Sequence, residues 1–326
     1  MRGAALLVAA LCCVDACADE AAQAALRNMH DATRKLNYDG VFVYQRGSQL
    51  ESMRVIHRYA DDTETERLIS LSGPAREVIR NGPLVTCLFD NGQGGAPDKN
   101  PPRDIIGIGF SAPVEKLLTS YAFAIDGRDR VAGRTAIIVT VTPRVLDRYG
   151  YRLWLDEQSN LLLKSAILDG TGLALEQVQF THLEVLEQIA NELLQPGIKG
   201  AEFNWRTEGD SDALKDGNVE QGAQAQKPDW LAHWLPAGFE FKESNVQHME
   251  AKAVATSHLV YSDGLAMVSV FVEPVADEAR ALRGHSSRGA VNAFSRLADK
   301  HQITVVGEVP LATVKRIAAS VAANNQ

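Results

Sequence analysis

The sequence predicts an α+β protein, an antiparallel sheet curled toward an open β-barrel around one helix and followed by a smaller α+β domain. Three observations lead there. Residues 38–58, YDGVFVYQRGSQLESMRVIHR, hold two strand-like runs, 40–45 and 50–57, joined through Gly47 and Ser48. Val41 and Val43 oppose Phe42 and Tyr44, and Met53 and Val55 oppose Arg54 and Ile56, so this ribbon is apolar on both faces and needs a cover on each, or a ligand. Further strand-like runs then follow at close spacing with little helix between them, which excludes a βαβ architecture. Finally, residues 206–227 are polar and glycine-rich, with almost no large apolar side chain, and separate two units as a linker.

The first element is a helix ahead of the ribbon, because Ala22, Leu26, Met29, Thr33 and Leu36 recur at four- and three-residue steps and supply one covering face. After the ribbon, residues 65–71 form a third strand, and 75–89 fold about the tight-turn signal Asn81-Gly82. Residues 91–102, NGQGGAPDKNPP, read as a loop, and Pro113 opens a short helix. The meander resumes with strands at 122–125, 135–142, 149–155, 161–168 and 173–187. Turns are expected at 126–127, 132–133, 156–160 and 169–172.

The second unit begins at Pro228-Asp229-Trp230. It has strands at 257–262 and 265–273 about an Asp263-Gly264 turn, helical patterning at Val291, Phe294 and Leu297, and a strand at 303–309. A closing helix after Pro310 carries Val314, Ile317, Ala318 and Val321 on one side. The domain plan is therefore 1–18 as a signal peptide, 19–205 as the barrel-like domain, 206–227 as linker and 228–326 as the C-terminal domain.

The signal assignment rests on Arg2, the apolar run 4–14 and the small residues Ala16 and Ala18, which place cleavage after Ala18 and mark the mature chain as exported. Val14-Asp15-Ala16-Cys17 offers a lipobox-like alternative with Cys17 lipid-modified, in which Asp15 fits poorly. Cys12, Cys13 and Cys17 leave with the signal, so Cys87 remains alone, a small buried hydrophobe with no disulfide partner. No later run approaches the roughly 20 apolar residues of a membrane span, so the mature chain has no transmembrane segment. With 33 Lys and Arg against 41 Asp and Glu, a net charge of −8 argues against nucleic acid as a partner.

The chain shows no catalytic pattern. Its eight histidines form no HExxH or HxH, and no GxSxG is present. The glycines at 92–95 lack a following Lys-Ser or Lys-Thr, and Gly107 and Gly109 lack a third glycine. No cofactor, metal site or enzyme activity is expected. What remains is binding through apolar surface. Phe42, Tyr44, Ile56, Phe89, Phe123, Trp154 and Phe180 spread large side chains over many strands, and a curled sheet so lined can hold an acyl chain, although each singly could be ordinary core. In the second unit Leu259, Tyr261, Met267 and Phe271 offer apolar area for a partner, with Lys315 and Arg316 as a positive rim.

Six blocks carry a resemblance: YDGVFVY at Tyr38, GPAREVIRNG at Gly73, FNW at Phe203, WLPAGF at Trp234, HLVYSDGLAMVSVFVE at His258 and ITVVGEVPLATVKRIAAS at Ile303. Together, and in this order, they resemble the RseB/MucB regulators of the envelope stress response governed by sigma-E (AlgU-type) factors. The resemblance implies an exported, non-enzymatic protein that binds the periplasmic part of a membrane anti-sigma factor of the RseA/MucA type and shields it from a DegS-type protease. It also implies an N-terminal open β-barrel wrapped on a helix, like the carriers LolA and LolB, sensing lipid or lipopolysaccharide acyl chains, and a C-terminal domain making much of the anti-sigma contact. The sequence departs from the family in the polar linker, residues 208–226. The competing expectation is a periplasmic lipid or lipoprotein carrier, which needs no second domain.

Overall fold

The computed structural model describes residues 8–90, 113–206, 228–248 and 255–324. The expected loop at 91–102, the weak glycine motif at 107–109 and nearly all of the linker lie outside them. A helix, α1 (Val8–Lys35), leads directly into strands β1 (Asn37–Arg46), β2 (Gln49–Ala60), β3 (Thr63–Ser70), β4 (Arg76–Asn81) and β5 (Leu84–Asp90). A single helical turn, α2 (Val114–Leu117), precedes β6 (Tyr121–Val131), β7 (Arg134–Pro143), β8 (Gly150–Asp156), β9 (Leu162–Leu168), β10 (Ala174–Leu186) and β11 (Gly200–Arg206).

These eleven strands form one sheet in the order β11-β5-β4-β3-β2-β1-β10-β9-β8-β7-β6, antiparallel throughout. The end strands are not paired with each other, so the sheet is open and does not close into a barrel. Ala22, Ala25, Leu26 and Met29 of α1 pack on Leu117, Phe123, Val139, Leu153 and Leu155, which gives the helix-wrapped sheet that the periodicity predicts. Small alanines on the buried stripe let the helix lie close to the strands.

The ribbon that organises the sequence is central in the sheet: β1 pairs with β2 on one side and β10 on the other, with Phe42 opposite Met53 and Phe180. Gly40 is there for space, because a Cβ on it would sit 2.6 Å from Phe180 Cε1 and 2.9 Å from the His182 carbonyl oxygen. Gly40→Val is expected to lower stability by about 1–3 kcal/mol through overpacking, read as a lower urea midpoint with an unchanged slope.

Two expectations fail in this domain and the next. The turn expected at Asp126-Gly127 is a bulge inside β6, where the register with β7 shifts between Ile125 and Arg128, so the strand bends without ending. The helix expected from Val291, Phe294 and Leu297 is a strand.

The C-terminal domain has β12 (Trp230–Ala232), β13 (Glu240–His248), β14 (Ala255–Ser262), β15 (Met267–Pro274), β16 (Gly284–Arg288), β17 (Val291–Ala298), β18 (His301–Gly307), helix α3 (Leu311–Ser320) and β19 (Val321–Ala323). Its six-stranded sheet runs β13-β14-β15-β18-β17-β16, and β12 pairs with β19 apart from it. In β17 the three-residue apolar spacing is coincidental. Phe294 and Ala298 pack toward α3, Arg296 donates to the carbonyls of Ala318 and Val321, and Asp299-Lys300 turn the chain into β18 with positive φ at both residues. That two-residue turn lacks the glycine by which such turns are recognised. Helix α3 follows its prediction at Val314, Ile317 and Ala318, which it buries against the sheet, but it ends at Ser320, and Val321 is buried from β19 instead.

Candidate functional site

The seven side chains expected to line an acyl pocket fall into three clusters. Phe42, Phe180 and Trp154 are buried in one, with Tyr44 and Phe89 packed at its margin. Phe123 belongs to the α1 cluster, and Ile56 packs elsewhere, against Ile189 and Leu194. Ile56 therefore leaves the group, because strand alternation sends it to the face opposite Val55. Trp154 is held by its indole N–H, which donates to Asp129 at 2.9 Å, with Lys164 Nζ 4.5 Å above the ring. Between Thr33 of α1 and Tyr38, Leu161, Leu162, Phe180 and Leu183 lies a cavity of about 10 Å³, room for one water and not for an acyl chain.

The residues expected to meet a partner also separate. Leu259 and Tyr261 are core, facing Val268, Val270 and α3, and the Tyr261 hydroxyl accepts the Ala232 backbone N–H at 3.0 Å. Phe271 and Met267 occupy the other face of the sheet, half-buried and exposed. Lys315 and Arg316 project from the solvent side of α3. There the Arg316 guanidinium lies 3.9 Å over the Trp234 ring, and Lys315 is 5.9 Å from the Phe294 centroid. A unit that encloses Leu259 and Tyr261 under α3 has no apolar excess along that face of the hairpin.

Phe271 stacks on His258 with ring centroids 4.4 Å apart, and neither imidazole nitrogen has a hydrogen-bond partner. Burial holds the His258 pKa below the ordinary histidine value. The unfolded chain then takes up that proton at higher pH than the folded one, so stability is complete above roughly pH 6.5 and falls as pH drops below it. His258→Phe is expected to flatten the dependence of Tm on pH between about 7 and 5; an unchanged slope contradicts the assignment.

A built polar site lies at the junction of the two domains. The β14–β15 tip, residues 262–266, is buried, and the Asp263 carboxylate organises it: Oδ1 accepts the backbone N–H groups of Leu265 and Ala266 at 3.0 and 2.8 Å. Oδ2 faces the N-terminal domain and accepts the Tyr121 hydroxyl at 2.9 Å and Arg148 Nη1 at 2.6 Å. Arg148 donates its Nη2 to the Ala237 carbonyl at 2.6 Å and its Nε to Asp147 at 2.8 Å, and its side chain is 2% exposed. The rings of Tyr121 and Phe239 flank the guanidinium at 5.5 and 5.3 Å. Burial pushes the Tyr121 phenol far up, so it stays a donor. Leu265 enters the α1 cluster beside Leu117, Phe123 and Tyr151.

Three further contacts hold the same junction. Glu176 accepts the Ala290 backbone N–H at 2.9 Å and the Tyr44 hydroxyl at 2.5 Å, with Arg46 3.4 Å away. Asn292 donates to the Tyr149 hydroxyl at 2.9 Å, and Thr313 to the Asp147 carbonyl at 2.8 Å. Two glycines permit this closeness. Gly238, at φ +87°, would place a Cβ 2.4 Å from Ser120 Oγ, and Gly289, at φ +60°, would place one 2.3 Å from Glu176 Oε1. Sequence reasoning missed Arg148, Tyr121 and Glu176 entirely and took Asp263 for a plain turn residue.

Cys87 is buried with no disulfide partner, and burial raises its thiol pKa to about 11. Among the described residues no His, Cys, Asp and Glu group could hold a metal ion, and no helix is long and apolar enough to cross a membrane.

Fold and junction thus define a two-domain protein in which an open antiparallel sheet wrapped on a helix is locked to a smaller α+β domain by buried polar contacts. Family models described as the MucB/RseB N-terminal domain and the MucB/RseB C-terminal domain match residues 21–198 and 224–322. The chain belongs to the MucB/RseB family. It is 32% identical over 322 residues to the sigma factor AlgU regulatory protein MucB of Pseudomonas aeruginosa, covering 97% of this chain and 95% of that one. To the sigma-E factor regulatory protein RseB of Haemophilus influenzae it is 28% identical, over 92% and 90% of the two chains. A solved complex of Pseudomonas aeruginosa MucA and MucB superposes with a TM-score of 0.73 at 30% identity, over 94% of this chain and 99% of that one.

Proposed function

We propose that this protein is a periplasmic regulator that binds the periplasmic region of a membrane anti-sigma factor of the RseA/MucA type, protects it from site-1 proteolysis, and lets go on sensing lipid or lipopolysaccharide. The observation that carries this reading is the likeness, across both domains, to a chain solved in complex with MucA. On the C-terminal domain the accessible contacts are Met267 and Phe271 on one face and the Lys315 and Arg316 pair on the other. Leu259 and Tyr261 support them from the core. Arg316 held over the Trp234 ring is pre-ordered for a carboxylate of an acidic segment, since its planar fork loses little freedom on binding.

On the lipid side, Phe42, Tyr44, Phe89, Phe123, Trp154 and Phe180 take part as the packed interior that an acyl chain has to enter. With the cavity near Phe180 as small as it is, entry requires a displacement. A carrier remains the second reading, but a carrier has no use for a second domain locked on by Arg148 and Asp263.

The test is protection. The periplasmic segment of the anti-sigma factor is exposed to its first protease with and without this chain, and then with lipopolysaccharide added. The expected result is at least about tenfold slower cleavage with the chain present, reversed by lipopolysaccharide. Equal cleavage in all three arms contradicts the reading.

A further inference from the structure

At the junction the C-terminal domain presents to the N-terminal domain a carboxylate and, two residues on, a leucine. Asp263 meets Arg148 and Tyr121, and Leu265 enters the apolar cluster beside Leu117, Phe123 and Tyr151. An anionic head on an apolar stem is also the chemistry of a single-chain amphiphile. We propose that the socket occupied by Asp263 and Leu265 is a binding site for an acyl chain with a carboxylate or phosphate head, which enters by displacing the hairpin and so frees the C-terminal domain.

The charges support an exchange. Both terminal nitrogens of Arg148 are used by the C-terminal domain, one by Asp263 and one by the Ala237 carbonyl, while its own domain supplies only Asp147 at Nε. Withdrawal of the hairpin takes from the Arg148 guanidinium its one anionic partner across the junction and from Tyr121 its carboxylate, while the Ala237 carbonyl outside the hairpin stays on Nη2, which is costly until another anion arrives. A carboxylate or phosphate restores charge-assisted bonds to the same donors. The stem has a path as well. The cluster that receives Leu265 continues along Ala22, Ala25 and Leu26 of α1 to Leu162, which lines the cavity near Phe180.

The inference rests on the lipid-sensing part of the proposed function and adds where the lipid acts: sensing and release meet at one hairpin, because ligand and C-terminal domain compete for Arg148. A ligand that binds only the detached state shifts the equilibrium toward it.

The probes are laurate and dodecyl phosphate below their micelle concentrations, with dodecanol and inorganic phosphate as separate arms, added to the chain from Asp19 onward. Binding is read by calorimetry, and displacement by hydrogen exchange of the Leu265 and Ala266 amides, which are bonded to Asp263. Laurate and dodecyl phosphate are expected to speed exchange of these amides about tenfold or more, and dodecanol or phosphate alone to leave it unchanged. Asp263→Asn and Leu265→Ala, which weaken the plug without touching the socket, are each expected to tighten laurate binding about tenfold. Laurate that binds while the two amides keep their protection overturns the socket and leaves lipid sensing standing elsewhere. Dodecanol acting as well as laurate overturns the role of Arg148. No binding of either anionic probe overturns the socket, and failure of lipopolysaccharide in the protection assay separately removes the sensing itself.

Discussion

Replacing Arg148 with methionine costs about 3–5 kcal/mol, because it leaves the Asp263 carboxylate buried with no cation. The expected record is a urea transition that is two-state in the parent and splits in the variant, the C-terminal domain melting apart from the N-terminal one. The size follows from burial: the Asp263 side chain is fully enclosed, and only the Tyr121 hydroxyl and its own turn amides remain to solvate it. Adding Asp263→Leu to Arg148→Met should recover part of the loss, since removing both charges removes the desolvation cost. Recovery stays incomplete, because the Leu265 and Ala266 amides lose their acceptor. A single variant that unfolds like the parent contradicts the lock.

The second large effect is Phe42→Ala, expected to cost about 3–5 kcal/mol through lost burial and the cavity left behind. Phe42 is fully buried, sits opposite Phe180 across the β1–β10 pair with ring centroids 5.6 Å apart, and faces Met53 across β2. Its neighbours are strand residues held by two ladders, so the site cannot collapse to fill the gap. Leu50→Ala, two-thirds exposed in the same ribbon, is the control and should stay within about 0.5 kcal/mol. Unfolding in urea at constant slope reads both.

Most of the N-terminal fold was legible because its signals are local. The 22, 26, 29 and 33 spacing marked α1, the two-faced ribbon marked the centre of the sheet, and Asn81-Gly82 marked the β4–β5 turn. Where a local signal was misleading or missing, the expectation failed. Val291, Phe294 and Leu297 imitate a helical period in a strand, and the Asp299-Lys300 turn carries no glycine.

The junction was illegible for a different reason. Arg148 and Asp263 are 115 positions apart and Tyr121 and Asp263 are 142 apart, and no periodicity reports a contact across that distance. The resemblance blocks did contain it unnoticed. WLPAGF supplies Ala237, Gly238 and Phe239, and the SDGLA of the longer block supplies the plug itself. Burial, likewise, is a property of the assembled chain: Leu259 and Phe271 look alike in a strand pattern, yet only one of them faces α3.

The central claim is that this chain binds the periplasmic segment of an anti-sigma factor through an arrangement that needs both domains. Titration calorimetry of that segment into the chain from Asp19 onward, and into the same chain ended before Pro228, tests it most directly. The account predicts one saturable site at micromolar affinity or better, about −8 kcal/mol, for the full chain, and at least about a hundredfold weaker binding for the shortened one. Equal affinity for the two chains, or no heat with either, would contradict it.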